Sequence, residues 1–318
     1  MSSSSDVLIK TNLYLPLFRR GKVRDVYDVG DKLLIVSTDR ISAFDVVLPC
    51  GIPDKGRVLN QLSAFWFGKT THILPNHLIK VIDSDGTLKD VIARAASPRQ
   101  SRREGDAPST LGSSLIGRSM LVAKAGRIPV ECVVRGYLSG SAWAEYEETG
   151  KVGNISLPQG MKESQELSEP IFTPTTKSDT EHDRPLTAQD IKQMSIEDVF
   201  EELKQKSLLI YSYARDYARG RGIIIADTKF EFGFINGQLA LIDELLTPDS
   251  SRFWDAGLYE AGHSQPSFDK QPVRDWLVHS GWDKKPPAPM LPPEVIEKTS
   301  ERYREVYKKL TGRVLKGQ

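Results

Sequence analysis

Residues 223–244 read IIIADTKFEFGFINGQLALIDE, and this stretch carries the strongest structural signal in the sequence. From Asp227 the charged residues Asp227, Lys229 and Glu231 fall on one face and Phe230, Phe232 and Phe234 on the other, and this period of two predicts a β-strand. An Asn-Gly pair then predicts a hairpin turn. Three charges on a strand with apolar flanks are costly to bury unless they are paired or bind a metal. The alternative interpretation is an edge strand with a solvated polar face.

The return strand of this hairpin delivers Asp243 after the apolar run LALI. A carboxylate at that place suits Mg²⁺, which binds one or two protein carboxylates together with phosphate oxygens. The hairpin is therefore a candidate metal site as well as a structural element.

The composition excludes several classes of protein. The chain has 318 residues, 39% hydrophobic and 27% charged, and its net charge of +1 is unlike that of a nucleic-acid or membrane-surface binder. Its apolar runs are far shorter than the roughly 18 residues of a membrane span, and its start, MSSSSDVLIK, has no signal-peptide pattern. Cys50 and Cys132 are the only cysteines, and the five histidines form no zinc motif. We therefore expect a cytoplasmic protein without disulfides.

The rest of the chain predicts a mixed α+β organisation. Residues 22–28 and 33–36 predict a hairpin, and Gly21, Lys22 and Val23 stand at its mouth, where a glycine followed by a lysine can lie over phosphates. Residues 95–114 are poor in apolar side chains, so we predict a disordered surface loop there. Apolar spacing and capping residues predict helices that begin near Val58, Ser141, Thr187, Ser195 and Glu294.

The segment RIPVECVVRGYLSGS, residues 127–141, is a candidate anion site. An apolar strand ends at Arg135, and a turn leads to Ser141 at a predicted helix start. A guanidinium group fits phosphate or carboxylate, and a helix N-terminus offers free N–H donors. The alternative is that Arg135 pairs with a nearby acidic residue.

Three further segments concentrate polar side chains. Ser251 and Arg252 lie in TPDSSRFWD, residues 247–255, which resembles a phosphate pocket in composition. The loop PTTKSDTEHD contains Lys177 and Asp183, and SFDKQPVRDW contains Asp269, Lys270 and Arg274. The alternatives are a solvated loop for the first of these two and a salt-bridged helix start for the second.

These segments resemble a known family. RIPVECVVRGYLSGS and IIIADTKFEFG resemble the two signature segments of the phosphoribosylaminoimidazole-succinocarboxamide synthase (SAICAR synthetase) family. The blocks GKVRDVYDVGDKLLIVSTDRISAFD, EPIFTPTTKSDTEHD and LIDELLTPDSSRFWD look like its fungal, single-function form, and the resemblance runs in order over nearly the whole chain. Residues 95–114 depart from it and look like an insertion.

The resemblance implies an α+β, two-lobed fold: a β-rich N-terminal nucleotide-binding lobe similar to that of protein kinases, residues 1–126, and a larger α+β lobe, residues 127–318. It implies an ATP- and Mg²⁺-dependent ligase of purine biosynthesis. This ligase joins 5-amino-1-(5-phospho-D-ribosyl)imidazole-4-carboxylate (the imidazole substrate) to L-aspartate and releases ADP and phosphate. The implied partners are these small molecules, with no nucleic acid and no membrane, and we expect a monomer.

The resemblance also implies roles for individual residues. The assignments are Gly21, Lys22, Val23 and Glu131 at ATP; Glu231 and Asp243 at Mg²⁺; Arg135, Ser141, Ser251 and Arg252 at the imidazole substrate; and Asp183, Lys270 and Arg274, with Lys177, around aspartate and the developing amide. The implied catalytic residues are Lys177, Lys229, Glu231 and Asp243.

Two functions from other classes remain open on the sequence. A small-molecule kinase would share the glycine-containing hairpin and the carboxylates, but the sequence has no HRD or DFG motif. A non-catalytic nucleotide-binding regulator would not need a second substrate site around Arg135 and Arg252.

A metal site shared by Glu231 and Asp243 requires a particular pairing register in the hairpin. If Asn-Gly were a two-residue loop, residue 231 would pair with residue 242, and Glu231 and Asp243 would face opposite sides of the sheet. An odd-length loop with a bulge would pair 231 with 241 instead and would put Glu231 and Asp243 on one face, with Ile242 on the other. Function requires the second register, so we predict it.

Overall fold

The computed structural model describes residues 7–95, 111–177 and 184–315. The chain divides into two compact units. The first comprises Met1–Phe67, His77–Lys124 and Asp269–Gln318, and the second comprises Gly68–Asn76 and Ala125–Phe268. The chain passes from the first unit to the second after Lys124. The predicted C-terminal lobe, 127–318, differs from the second unit, because the segment from Asp269 onward packs with the first unit.

The first unit is built on an antiparallel sheet. The elements up to residue 124 are β1 (Leu17–Arg20), β2 (Arg24–Val29), β3 (Lys32–Ser37), β4 (Arg40–Ala43), β5 (Val46–Gly51), α1 (Lys55–Thr70), β6 (Leu78–Ile82), α2 (Asp85–Ala95), α3 (Leu111–Leu115) and β7 (Ser119–Ala123). The last three residues of α1, 68–70, belong to the second unit. Within the described residues the sheet order is β1-β2-β3-β7-β6, and β4 and β5 form a separate hairpin. The predicted hairpin of β2 and β3 is confirmed. The predicted loop 95–114 lies mostly outside the described residues, and α3 begins within it.

The second unit consists of β8 (Gly126–Arg127), β9 (Val130–Tyr137), α4 (Ser141–Thr149), β10 (Lys151–Val152), β11 (Ile155–Ser156), β12 (Glu166–Phe172), β13 (Thr175–Thr176), α5 (Ala188–Gln193), α6 (Glu197–Arg219), β14 (Ile223–Ile235), β15 (Gln238–Ile242) and β16 (Ser251–Asp255). The chain then returns to the first unit with α7 (Gln271–His279) and α8 (Pro293–Thr311). Val273 and Leu277 of α7 join Ile41 and Ile52 in one apolar core, which explains this return.

The main sheet of the second unit places β9 and β14 at its centre. Among the described residues the order is β12-β9-β14-β15, with β13 beside β9, and β8 and β16 beside β14. Helix α6 packs on β9, β12 and β14. Phe230 pairs directly with Cys132, whose thiol lies next to Ser207 of α6, so this face of the sheet is the apolar one. The opposite face is left to polar side chains.

The hairpin of β14 and β15 does not have the predicted register. Glu231 pairs with Ile242, and the pairing continues to Ile235 with Gln238, so Asn236 and Gly237 form a two-residue loop. Both loop residues have positive φ, 50° and 78°, as a type I′ turn requires. The prediction that residue 231 pairs with 241 is wrong, because the Asn-Gly pair adopts the turn whose twist matches its strands.

This register does not by itself separate the two carboxylates. Strand β15 ends at Ile242, and Asp243 has φ of 67°, so the backbone leaves the extended conformation at that residue. The two-sided alternation of a strand therefore does not extend to Asp243. We predicted Ile242 on the other face of the sheet from Glu231, but the two residues pair directly and therefore lie on the same face.

The helix starts were predicted in part. Thr187 caps α5 in a reciprocal capping box with Asp190, as expected. Helix α4 is capped by Gly140, not Ser141, and α6 by Ile196, because Ser195 has φ of 52°. Within the described ranges, no helix is long and apolar enough to cross a membrane.

Candidate functional site

The candidate site lies on the polar face of the main sheet of the second unit. Asp227 pairs directly with Arg135 across β14 and β9. Residues that pair directly share a face, and alternate positions along a strand stay on it, so Lys229 and Glu231 lie with Glu131. The predicted alternation of charged and aromatic residues is confirmed. Side-chain contacts divide this face into two clusters.

The first, which we call the arginine cluster, consists of Arg135, Asp227 and Arg252. Arg252 Nη1 donates to Asp227 Oδ2, and Arg135 Nη1 lies 3.4 Å from the same oxygen. Arg135 Nε also donates to Thr173 Oγ1 at 2.9 Å. The alternative that Arg135 pairs with an acidic residue is thus observed, but one carboxylate between two guanidinium groups leaves a positive charge. Burial lowers the pKa of Arg135 and Asp227 opposes this, so the side chain stays a cation.

The start of α4 adjoins this cluster. Arg135 Nη2 donates to Ser141 Oγ at 3.5 Å. Gly140, with φ of 59°, precedes the helix, and a Cβ atom there would lie only 2.3 Å from Arg252 Nη2. Glycine therefore lets the Arg252 guanidinium lie against the turn. The first N–H groups of a helix suit an anion, so this corner combines two cations with free backbone donors.

Ser251 is not part of the arginine cluster. It pairs directly with Thr228, and the two hydroxyl groups lie 2.8 Å apart in the interior. Because neighbouring residues of a strand face opposite sides, the Ser251 side chain lies on the other face of β16 from Arg252. The role of Ser251 at the imidazole substrate stays a prediction.

The second, which we call the lysine–glutamate cluster, consists of Glu131, Lys177, Lys229 and Glu231. Lys177 Nζ contacts Glu131 Oε1 and lies 3.0 Å from Glu231 Oε1. Lys229 Nζ donates to Glu131 Oε1 at 3.1 Å. The side chain of Glu131, which the resemblance places at ATP, thus belongs to this cluster.

The protonation states in this cluster follow from its contacts. Burial alone would lower the pKa of Lys177, but the carboxylates of Glu231 and Glu131 raise it on balance. Burial would likewise lower the pKa of Lys229, but Glu131 and, to a smaller extent, Glu244 raise it on balance. Burial would raise the pKa of Glu131, yet Lys229 and Lys177 hold it below its usual value. All three groups are therefore charged at neutral pH.

Glu231 and Asp243 are the candidate metal ligands. Both supply hard carboxylate oxygens, the donor type that Mg²⁺ prefers. Within the described part of the chain, no three or more His, Cys, Asp and Glu side chains form a metal-binding group. Mg²⁺ bound together with phosphates needs only one or two carboxylates, so the donor set fits that ion.

In the first unit, residues 21–23 lie at the open end of the β2–β3 hairpin, as predicted, and they also join β2 to β1, a strand that we did not predict. The Arg40 guanidinium donates to the carbonyl of Gly21 at 2.9 Å and of Lys22 at 3.1 Å, and it pairs with Asp25 at 2.8 Å. Burial would raise the pKa of Asp25, but Arg40 and Thr11 lower it on balance. A buried ion pair thus holds the loop by its backbone, and the Lys22 side chain, 55% exposed, reaches Asp45 on the surface.

Lys270 and Arg274 lie at the start of α7 in the same unit. Arg274 Nη1 pairs with Asp269 at 2.9 Å, and the backbone N–H of Gln271 donates to the same carboxylate. The salt-bridged helix start that we named as the alternative is therefore observed. Asp183 lies outside the described residues.

Sequence reasoning missed Arg40, Thr173 and Gly140. Arg40 and Thr173 stand inside the blocks STDRISAFD and EPIFTPTTKSDTEHD, which carried the family resemblance. Their place in those blocks was the available signal, but their contacts depend on chain segments far apart in sequence.

Comparisons with known proteins identify the family of this chain. The family model for SAICAR synthetase matches residues 17–289. The phosphoribosylaminoimidazole-succinocarboxamide synthase of Thermodesulfovibrio yellowstonii is 50% identical over 96% of this chain and 99% of its own. The structure of SAICAR synthase from Saccharomyces cerevisiae complexed with SAICAR is 43% identical, with a TM-score of 0.83 over 96% of this chain and 99% of that one. A SAICAR synthetase in complex with ADP is 26% identical, with a TM-score of 0.64 over 93% and 98% of the two chains.

Proposed function

The chain belongs to the SAICAR synthetase family, ATP-dependent ligases of purine biosynthesis, and we propose that its site joins the imidazole substrate to L-aspartate. The products are the succinocarboxamide, ADP and phosphate. A carboxylate does not accept an amine directly because oxide would have to leave. ATP supplies a phosphoryl group that turns this oxygen into a leaving group.

The observation that carries the proposal is the arrangement of two unlike clusters on one face. The arginine cluster has a net positive charge, whereas the lysine–glutamate cluster contains two cations and two anions. Asp227 and Glu231 are four residues apart on β14, about 13 Å at strand spacing. A substrate with a phosphate at one end and a carboxylate at the other fits this arrangement, with the phosphate at the arginine cluster and the carboxylate at the lysine–glutamate cluster.

Arg135, Arg252 and Ser141 would bind the phosphate of the imidazole substrate. Charge-assisted hydrogen bonds from guanidinium groups are among the strongest that proteins make to phosphate. Asp227 holds the two arginines before the substrate arrives, so little side-chain freedom is lost on binding.

Lys177 and Lys229 would act at the reacting carboxylate. Because the pKa of each is raised, neither is a general base at neutral pH. As cations they would stabilise negative charge on the phosphoryl and carboxylate oxygens. Glu231 and Asp243 would hold Mg²⁺, which would supply further neutralisation of phosphate charge.

ATP and aspartate would use the remaining residues. The loop of Gly21, Lys22 and Val23, held by Arg40, would cover the ATP phosphates, and the strand at Glu131 would meet adenine. Lys270, Arg274 and Asp183 would bind aspartate. We also propose a monomer in the cytoplasm. The fungal, single-function form is not supported, because the relative quoted at 50% identity is bacterial.

An ADP-release assay with ATP, the imidazole substrate and L-aspartate tests the reaction. The expected result is turnover that requires all three together with Mg²⁺. ADP release without aspartate, with a stable phosphorylated imidazole product, would indicate the small-molecule kinase. Binding of ATP without turnover under any combination would indicate the regulator.

A further inference from the structure

Tyr211 of α6 reaches into the main sheet beside the arginine cluster. Its side chain is fully buried, and its hydroxyl group donates to the carbonyl of Ile225 on β14 at 2.7 Å. Burial raises the pKa of this phenol, so it is a hydrogen-bond donor at every physiological pH. The Tyr211 hydroxyl group thus donates its hydrogen bond to one backbone carbonyl of β14.

That carbonyl lies at a β-bulge. Ile225 pairs with Phe253 of β16, but the next pair is Asp227 with Arg252, so Ala226 has no opposite residue on β16. Continued from Ile225 without the bulge, the pairing would set Asp227 opposite Ser251. Since directly paired residues share a face, the bulge is what brings Asp227 to the face of Arg252.

The same hydroxyl lies against β9. A Cβ atom on Gly136 would be 1.9 Å from Tyr211 Oη and 2.8 Å from Tyr211 Cζ, so only glycine fits there. Gly136 directly follows Arg135, and the pairing of β9 with β14 runs from Cys132 with Phe230 to Arg135 with Asp227. The phenol therefore occupies the place where this ladder ends, next to both partners of the ion pair.

We propose that Tyr211 is a positioning residue for the arginine cluster: its hydroxyl group holds the bulge at Ala226 and thereby sets Asp227 between Arg135 and Arg252. The proposal rests on the assignment of this cluster to the phosphate of the imidazole substrate. Tyr211 touches no substrate, and it acts through the backbone of β14 and β9.

The test compares Tyr211→Phe with Tyr307→Phe. Tyr307 of α8 is also buried and donates through its hydroxyl group, to Gln61 Oε1 at 3.2 Å, but it lies in the first unit. Both variants lose one interior hydrogen bond, so both should lose a few degrees of Tm. We expect only Tyr211→Phe to raise KM for the imidazole substrate, by about threefold to tenfold, the equivalent of one hydrogen bond, with KM for ATP within twofold.

A second pair of variants tests the packing. Gly136→Ala should raise the same KM at least as much, because its Cβ displaces the phenol. The double variant, Gly136→Ala combined with Tyr211→Phe, lacks the hydroxyl group that the new Cβ would meet. It should recover part of the Tm lost in Gly136→Ala, or fold if Gly136→Ala alone is insoluble. Equal KM values in Tyr211→Phe and Tyr307→Phe, or no recovery in the double variant, would overturn the proposal. Absence of aspartate-dependent turnover in the unmodified protein would instead refute the proposed function.

Discussion

Gly140→Ala should have two effects that can be measured separately: weaker binding of the imidazole substrate at the phosphate site, and lower stability of the fold. Gly140 precedes α4 with φ of 59° and ψ of −129°, a conformation that side chains with a Cβ rarely adopt. The new Cβ would lie 2.3 Å from Nη2 and 2.7 Å from Cζ of Arg252. The guanidinium group of Arg252 must therefore move away from the turn at Gly140.

The structure sets the size of both effects. The backbone strain should lower the free energy of unfolding by about 1–3 kcal/mol. Displacing Arg252 removes one charge-assisted contact to phosphate, worth about 1.5–3 kcal/mol, so KM for the imidazole substrate should rise by roughly tenfold to a hundredfold. KM for ATP should change little, because Arg252 is assigned to the other substrate.

Gly150→Ala is the matched control. Gly150 ends the same helix with φ of 69°, and among the described atoms none lies within 4 Å of its Cβ position. Both variants should unfold earlier in a thermal melt, but only Gly140→Ala should raise KM for the imidazole substrate in steady-state kinetics. An unchanged KM in Gly140→Ala, or the same rise in Gly150→Ala, would refute the reasoning.

Three further predictions concern the two clusters and the candidate metal ligand Asp243. Arg135→Ala and Arg252→Ala should each weaken binding of the imidazole substrate by about tenfold or more and leave ATP binding nearly unchanged in calorimetric titrations; equal losses for both ligands would contradict the phosphate assignment. Asp243→Asn should abolish Mg²⁺-dependent ATP turnover with an unchanged far-UV spectrum, because the amide keeps the shape and loses the charge, and retained turnover would exclude this ligand. The pKa of Glu131 is held below its usual value, so its share of stability is present above the unfolded pKa of about 4.3 and is lost as the pH falls through the folded pKa. Chemical unfolding between pH 6 and pH 3 should accordingly show a shallower loss of stability in Glu131→Gln, and parallel profiles would show that the carboxylate is not stabilised by Lys177 and its neighbours.

Much of the second unit could be predicted from local pattern. The alternation in residues 223–235 was enough to predict a strand with Asp227, Lys229 and Glu231 on one face, and β14 has that face. The Asn-Gly pair predicted a hairpin, and its own propensity for a two-residue turn was a better guide to register than the demand for a metal site. The signature segments likewise led to the family without any knowledge of the fold.

Contacts between distant segments decided the rest. The sequence placed Arg135 and Arg252 in two candidate sites, but pairing of β9 and β16 with β14 brought both to Asp227. The bulge at Ala226 has no local signal, because a bulge depends on which residue of another strand lies opposite. The same holds for Arg40, which holds a loop almost twenty residues away in sequence. Sequence periodicity determines which face of a strand is polar, whereas only the packed sheet determines which charges on that face meet.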